Sequence, residues 1–129
     1  MPSTDTLERF VARVESGAHA EAIAEFYVEQ GRMRENQGPP RVGRAALVAH
    51  EQGVLGRARS VESVCVRPVL VHGSIAVVRW IFRFHWLNGT VTEMEELAYQ
   101  RWEGELIAEE QFFYDPAQLQ PRKVSVSPS

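Results

Sequence analysis

Residues 74–115 read SIAVVRWIFRFHWLNGTVTEMEELAYQRWEGELIAEEQFFYD, and this stretch decides the fold. Apolar and polar residues alternate along it in three runs that are rich in β-branched and aromatic side chains, as strands are. A turn that contains a glycine separates each run from the next. The stretch therefore predicts three consecutive antiparallel strands, at residues 74–86, 90–103 and 105–114.

Two registers are conceivable for the first hairpin of this stretch. A two-residue loop would mix charged and apolar side chains on both faces of the sheet. A three-residue loop, with Gly89 in the left-handed bulge position, places Trp80 opposite Glu96 on one face and Arg83 opposite Glu93 on the other. We prefer the three-residue loop, because it makes one face mostly apolar and the other face charge-complementary.

The inner face of this sheet then carries large aromatic side chains around Glu96 and Glu110. A short strand at residues 32–36 is expected to bring Glu35 to the same region. Carboxyl groups in an apolar pocket shift toward the neutral form and can act as a general acid or base near neutral pH. Glu35, Glu96 and Glu110 are therefore the candidate catalytic residues. The candidate ligand contacts are Tyr27, Met33, Trp80, Phe84, Gln100, Trp102 and Tyr114.

The outer face of the same strands combines apolar residues with arginines that have glutamate partners. This pattern is typical of a solvated or dimerising surface. We expect a homodimer through this face. The residues expected in the interface are Arg79, Ile81, Arg83, Leu97 and Tyr99.

The first half of the chain predicts three helices, at about residues 5–17, 18–30 and 43–58. Helices followed by a run of antiparallel strands indicate an α+β domain with the helices on one side of a curved sheet. Glu51 falls within the apolar stripe of the third helix, where a structural role is favoured.

The four histidines do not predict a metal site. His50 and Glu51 are adjacent on a helix, so their side chains point apart. His19, His72 and His85 belong to different predicted elements. We expect neither a metal nor a cofactor, since no phosphate-binding loop or dinucleotide fingerprint occurs either.

The composition excludes several classes of protein. The net charge is −3 over 129 residues, which is not the basic footprint of a nucleic-acid binder. Cys65 is the single cysteine, so an internal disulfide is impossible. No apolar run is long enough to span a membrane, and no secretory signal is evident. These features predict one cytoplasmic domain at residues 1–116, followed by a flexible tail at residues 117–129.

The order of elements and the ending WEGELI (102–107) with FFYDP (112–116) resemble the nuclear transport factor two-like superfamily, and within it the SnoaL-like proteins. The resemblance covers about residues 5–116. It implies a cone-shaped α+β barrel, in which a curved mixed sheet and three helices of the N-terminal half enclose a pocket. It also implies that members commonly form homodimers.

The same superfamily includes ketosteroid isomerases, cyclases, dehydratases and epoxide hydrolases. By resemblance, the general base of the isomerases aligns with Glu35, while their two oxyanion donors fall at Phe10 and Ala98. Neither side chain can donate a hydrogen bond, so ketosteroid isomerase activity is not expected. The resemblance implies a cofactor-independent isomerase, cyclase, lyase or hydrolase acting on a small apolar or aromatic organic molecule. A non-catalytic ligand-binding or dimerisation module is the alternative.

Overall fold

The structure, a computed structural model, describes residues 2–123. The helices are α1 (Thr4–Glu15), α2 (His19–Phe26), α3 (Arg44–Leu55) and one turn of 3-10 helix (Pro116–Leu119). The strands are β1 (Tyr27–Glu35), β2 (Arg41–Val42), β3 (Ala58–His72), β4 (Ile75–Trp86), β5 (Thr90–Glu103), β6 (Leu106–Phe113) and β7 (Arg122–Lys123).

The strands form one curved, open, mixed sheet. Its order is β2-β1-β6-β5-β4-β3, with β7 attached to β5. Strands β1 and β6 run parallel, and the other pairs are antiparallel. This confirms the predicted α+β class with a cone-shaped mixed sheet and three helices. Among the described residues, no helix is both long and apolar enough to cross a membrane.

The predicted register of the β4–β5 hairpin is confirmed. Trp80 lies opposite Glu96, and Arg83 lies opposite Glu93. Gly89 has a φ of 86°, a conformation that glycine adopts without the steric cost that a Cβ would bring. The three-residue loop therefore determines which side chains of β4 and β5 face the helices.

The β5–β6 hairpin departs from the predicted alternation. A register shift follows Arg101, so that Trp102 lies opposite Ile107. Ile107 is fully buried, whereas Leu106, which strict alternation with Glu110 would place on the inner face, is 36% exposed. An irregularity of one residue reverses the faces locally, because successive side chains of a strand point to opposite sides.

The second helix is shorter than predicted. It ends at Phe26, and Tyr27 already begins β1, whereas the apolar pattern indicated a helix up to residue 30. Pairing of β1 with β6 supplies backbone hydrogen bonds that outweigh the helical pattern. As a result the Tyr27 side chain is buried within the domain, at 1% exposure.

The first two helices close one end of the sheet. Ser3 caps α1 by accepting a hydrogen bond from the Thr6 amide, and the apolar stripe of α1 is buried. Phe10 packs edge-on against Phe26 and Trp102, with ring centroids 5.5 and 6.0 Å away. The helices therefore rest on the aromatic side chains of the inner sheet face.

Two short elements extend beyond residue 117, where the sequence predicts the start of a flexible tail. Asp115 caps the 3-10 helix by accepting from the Ala117 amide, and β7 pairs with the first residues of β5. The remainder of the predicted tail, residues 124–129, lies outside the described residues.

Candidate functional site

A cavity of about 660 Å³ lies between the inner face of the sheet and the helices. Four aromatic rings of β4 follow one another along its wall. Trp80 stacks on Phe82 at 5.3 Å, and Phe84 stacks on Trp86 at 5.1 Å. Burial decreases along this series, from Trp80 at 1% exposure to the half-buried Phe84 and Trp86. The wall therefore offers flat apolar surface from the depth of the cavity to its mouth.

Glu96 is a buried carboxyl group on the cavity wall that has no partner. It is 9% exposed, and no hydrogen bond or ion pair from residues 2–123 reaches it. Burial, followed by the negative charges of Glu110, Glu35 and Glu51, raises its pKa to about 8. A carboxyl group with this pKa carries its proton at neutral pH and can donate it.

Glu110 also borders the cavity, but both of its oxygens are occupied. The Tyr27 hydroxyl donates to Oε1, and the Gln100 side-chain amide donates to Oε2 at 2.7 Å. Gln100 in turn accepts from the indole of Trp102 at 3.0 Å. Burial raises the pKa of Glu110, and its two hydrogen bonds oppose that shift. Burial and the Glu110 charge hold the pKa of Tyr27 well above its usual range.

Glu35 lies at the margin of the cavity. Its strand position pairs with Phe112, and the residue is exposed. Its charge acts on Tyr114, whose pKa is raised to about 12 by burial, then by Glu35 and more weakly by Glu96. None of the ion pairs among the described residues involves Glu35, Glu96 or Glu110. Pairing with arginine therefore does not neutralise these carboxyl groups.

The sequence model of the SnoaL-like domain family matches residues 7–110. The chain belongs to the SnoaL-like domain family. The match runs from α1 to β6 and thus covers most of the elements that line the cavity. No curated protein matches this SnoaL-like chain.

Solved structures resemble the SnoaL-like chain in fold. A protein with a ketosteroid isomerase-like fold from Catenulispora acidiphila, in complex with trimethylamine, has a TM-score of 0.75 at 14% identity, covering 91% of this chain and 90% of its own. A candidate SnoaL-like polyketide cyclase from Mesorhizobium loti has 0.72 at 20% identity, covering 88% and 100%. An LEH-like epoxide hydrolase of M. tuberculosis has a TM-score of 0.73 at 9% identity, covering 89% of this chain and 84% of its own. These likenesses establish the fold.

The structure divides the predicted ligand contacts into two groups. Tyr27, Met33, Trp80 and Phe84 lie on the cavity wall. Gln100, Trp102 and Tyr114 are not among its lining side chains. Gln100 and Trp102 instead lie behind Glu110 and hold it in place through the hydrogen bonds described above. Ligand contact by any of these residues stays a prediction.

A second polar cluster on the helical side of the cavity was missed by sequence reasoning. His19 Nε2 lies 2.7 Å from Ser63 Oγ, and His19 Nδ1 lies 3.5 Å from Glu51 Oε1. His19 and Glu51 both line the cavity. The sequence favoured a structural role for Glu51, and it placed His19 on a different predicted element from His72 and His85. Only the packing of α2 on α3 and β3 brings them together.

Charged groups at the cavity margin include Arg41 and Arg57, both exposed. They suit anionic groups of a bound molecule. Within residues 2–123, no group of three or more His, Cys, Asp and Glu side chains is arranged to hold a metal ion.

Proposed function

We propose that this SnoaL-like protein is a cofactor-independent acid–base enzyme that acts on a small apolar or aromatic organic molecule. The observation that carries the proposal is Glu96, a carboxyl group on the wall of an aromatic cavity that is 9% exposed, has a pKa of about 8 and receives no hydrogen bond or ion pair from residues 2–123. Its oxygens are open to the cavity, so a ligand can reach them. The oxygens of Glu110, in contrast, are both occupied by side chains of the protein.

The chemistry follows from this environment. The rings of Trp80, Phe82 and Phe84 bind apolar surface and exclude water. Glu96 donates its proton to an oxygen on the substrate as negative charge develops there. A second carboxylate accepts a proton from substrate carbon or from water; Glu35 is the acceptor that the sequence predicts. Isomerisation, cyclisation, elimination and hydrolysis all use this pair of steps.

The names of structural neighbours support the same range of reactions. One is named as a candidate polyketide cyclase and another as an LEH-like epoxide hydrolase. Both reactions need a proton donor beside an apolar substrate.

The first test is the replacement Glu96→Gln, which keeps the shape and removes the acid. With a substrate identified from a panel of aromatic ketones, epoxides and lactones, we expect kcat/KM to fall by about 10²- to 10⁴-fold. Glu103→Gln, an exposed position on the same strand, is the matched control and should keep wild-type activity. Unchanged turnover in Glu35→Gln, Glu96→Gln and Glu110→Gln alike would contradict the carboxylate mechanism.

The alternative is a non-catalytic ligand-binding or dimerisation module. It is favoured by the network of Tyr27, Gln100, Trp102 and Glu110, which is fully hydrogen-bonded and needs no reaction to explain it. Tight binding of an aromatic ligand that is recovered unchanged, with equal affinity in Glu96→Gln, would support this alternative.

We also propose a homodimer through the outer sheet face, at Arg79, Ile81, Arg83, Leu97 and Tyr99. Leu97 and Tyr99 are each 46% exposed. Arg79 donates a hydrogen bond to Glu95, and Arg83 lies opposite Glu93. A second copy would cover this apolar surface and align complementary charges.

Light scattering tests the dimer. The wild-type protein should have twice the mass of the chain, and the double variant L97E/Y99E should be monomeric. Val42→Glu introduces one such charge at an equally exposed apolar residue on β2 and should leave the dimer intact, as a control for each single variant, L97E and Y99E. A wild-type monomer at high protein concentration would overturn this proposal.

A cytoplasmic location is likewise proposed. Cys65 is a free and buried thiol, which suits a reducing compartment.

A further inference from the structure

The cluster of Ser63, His19 and Glu51 has the connectivity of an oriented acid–base group. Ser63 Oγ contacts His19 Nε2 at 2.7 Å, and the opposite ring nitrogen faces Glu51 Oε1 at 3.5 Å. A hydrogen bond to Ser63 on one side of the imidazole and a carboxylate within ion-pair distance on the other side restrain its orientation and favour one tautomer. The Phe82 ring, edge-on at 5.2 Å, further restricts the imidazole.

Glu51 and His19 both line the cavity, and the side chain of Glu51 is the more exposed of the two, at 19% against 9%. His19 contacts Oε1 of Glu51, and no hydrogen bond from residues 2–123 reaches Oε2, so this oxygen can contact a ligand. Ser63 is 8% exposed and is not among the cavity-lining side chains. Its hydroxyl is therefore placed to orient His19 rather than to attack a substrate.

The cluster and Glu96 belong to opposite walls of one cavity. Glu96 projects from the sheet, whereas Glu51 projects from α3. The charge of Glu51 is one of the causes that raise the pKa of Glu96, so the two carboxyl groups influence each other across the cavity. Two carboxyl groups in unlike environments are suited to opposite roles, one as acid and one as base.

We propose that Glu51 is the proton acceptor of this site, with His19 and Ser63 as the residues that position it. This inference rests on the proposed acid–base function and replaces Glu35 as the acceptor. Glu35 is exposed at the margin, whereas the carboxylate of Glu51 lies inside the cavity beside His19. A base that is oriented before the substrate arrives needs no reorganisation during the reaction.

The step balances without a further reactant. For a ketone, the α C–H bond breaks and its proton forms an O–H bond with Glu51. The electron pair left on carbon forms the C=C bond of an enol, and the carbonyl oxygen takes the proton of Glu96. Return of a proton from Glu51 to carbon, and from the enol oxygen to Glu96, restores both groups.

The test uses 2-tetralone, an apolar aromatic ketone with exchangeable α protons, in D₂O. Loss of the α-proton NMR signal measures the rate at which the protein removes them. We expect the wild-type protein to accelerate this exchange, Glu51→Gln to lose about 10²-fold or more of that acceleration, and Glu51→Asp to recover part of it. Ser63→Ala should lose less than Glu51→Gln, because it removes a positioning group and leaves the carboxylate in place.

A matched control is present on the outer surface. Glu62 and His85 form the same pair of residue types at 2.7 Å, but Glu62 is exposed and neither residue lines the cavity. Glu62→Gln should exchange 2-tetralone protons as fast as the wild type.

A second readout reports on the positioning role directly. The ¹⁵N shifts of neutral His19 should show the proton on Nδ1, facing Glu51, and this preference should disappear in Glu51→Gln but persist in Glu62→Gln. If the carboxylate of Glu51 had only a structural role, Glu51→Gln would change the stability of the protein. It would not change both the tautomer of His19 and the rate of exchange.

The outcomes separate this inference from the function on which it rests. If Glu35→Gln loses exchange and Glu51→Gln keeps it, Glu35 is the acceptor; this inference is overturned while the proposed function stands. If Glu51→Gln keeps exchange and no tautomer preference for Nδ1 is found, the positioning by His19 is refuted as well. If the wild-type protein does not accelerate exchange at all, proton abstraction from a ketone by Glu51 is overturned, whereas the proposed function is decided by Glu96→Gln on the substrate panel.

Discussion

Glu96 and Glu110 are the same residue type on the same face of the sheet, yet their surroundings are opposite. Around Glu110, the side chains of Tyr27, Gln100 and Trp102 form a continuous buried chain of hydrogen bonds. Around Glu96, no such chain exists among the described residues, and the neighbouring charges are negative. The carboxyl group of Glu110 is therefore hydrogen-bonded within the protein, whereas the carboxyl group of Glu96 is left available to a ligand.

This difference shows how burial alone fails to identify a functional acid. Both carboxyl groups are buried and both have a raised pKa. What separates them is hydrogen bonding, because a satisfied group is held in one role while an unsatisfied group gains most when a substrate arrives. The pair of residues therefore serves as an internal control for every measurement on the site.

The largest expected effect of this difference is on the way the free energy of unfolding depends on pH. The pKa of Glu96 is about 8 in the folded chain, against an ordinary value of 4.5 in the unfolded chain. Between these values the folded protein binds more protons than the unfolded one, so stability falls as the pH rises. The loss should be on the order of 5 kcal/mol between pH 4.5 and 8, and level off above pH 8.

Urea denaturation of the wild type and Glu96→Gln across this range measures the effect. The uncharged glutamine removes this contribution, so the variant should gain stability relative to the wild type as the pH rises. Parallel curves for the two proteins would mean that Glu96 titrates normally.

A smaller effect is expected from truncating each carboxyl group at pH 6. Glu110→Ala leaves the Tyr27 hydroxyl and the Gln100 amide unpaired, which should cost about 3 kcal/mol of unfolding free energy. Glu96→Ala removes the same atoms but breaks no hydrogen bond, so its cost should be about 2 kcal/mol smaller. Equal losses of unfolding free energy in the two variants would contradict the difference in hydrogen bonding between Glu110 and Glu96.

Much of this arrangement could be predicted from the sequence, because it depends on local signals. Gly89 requires a left-handed conformation, and the opposite charges of Arg83 and Glu93 select the register that places Glu96 inside. Alternation along a strand then assigns the remaining side chains of β4 and β5 to their faces.

The rest depends on packing between elements that are distant in the sequence. The register shift after Arg101 buries Ile107 in place of Leu106. The pairing of β1 with β6 places Tyr27 on a strand rather than on a helix, where its hydroxyl donates to Glu110. The contact of His19 with Ser63 joins an α-helix to a strand, and neither residue belongs to a motif that would indicate it. Such contacts follow from tertiary structure and leave no periodic pattern.

The most direct measurement is the ¹³C NMR titration of the Glu96 side-chain carboxyl group, assigned by its disappearance in Glu96→Gln. We expect its midpoint near pH 8, because burial and the surrounding carboxylates favour the protonated form. A midpoint near the ordinary value of 4.5 would show an ionised group at neutral pH and would contradict the role of Glu96 as a proton donor.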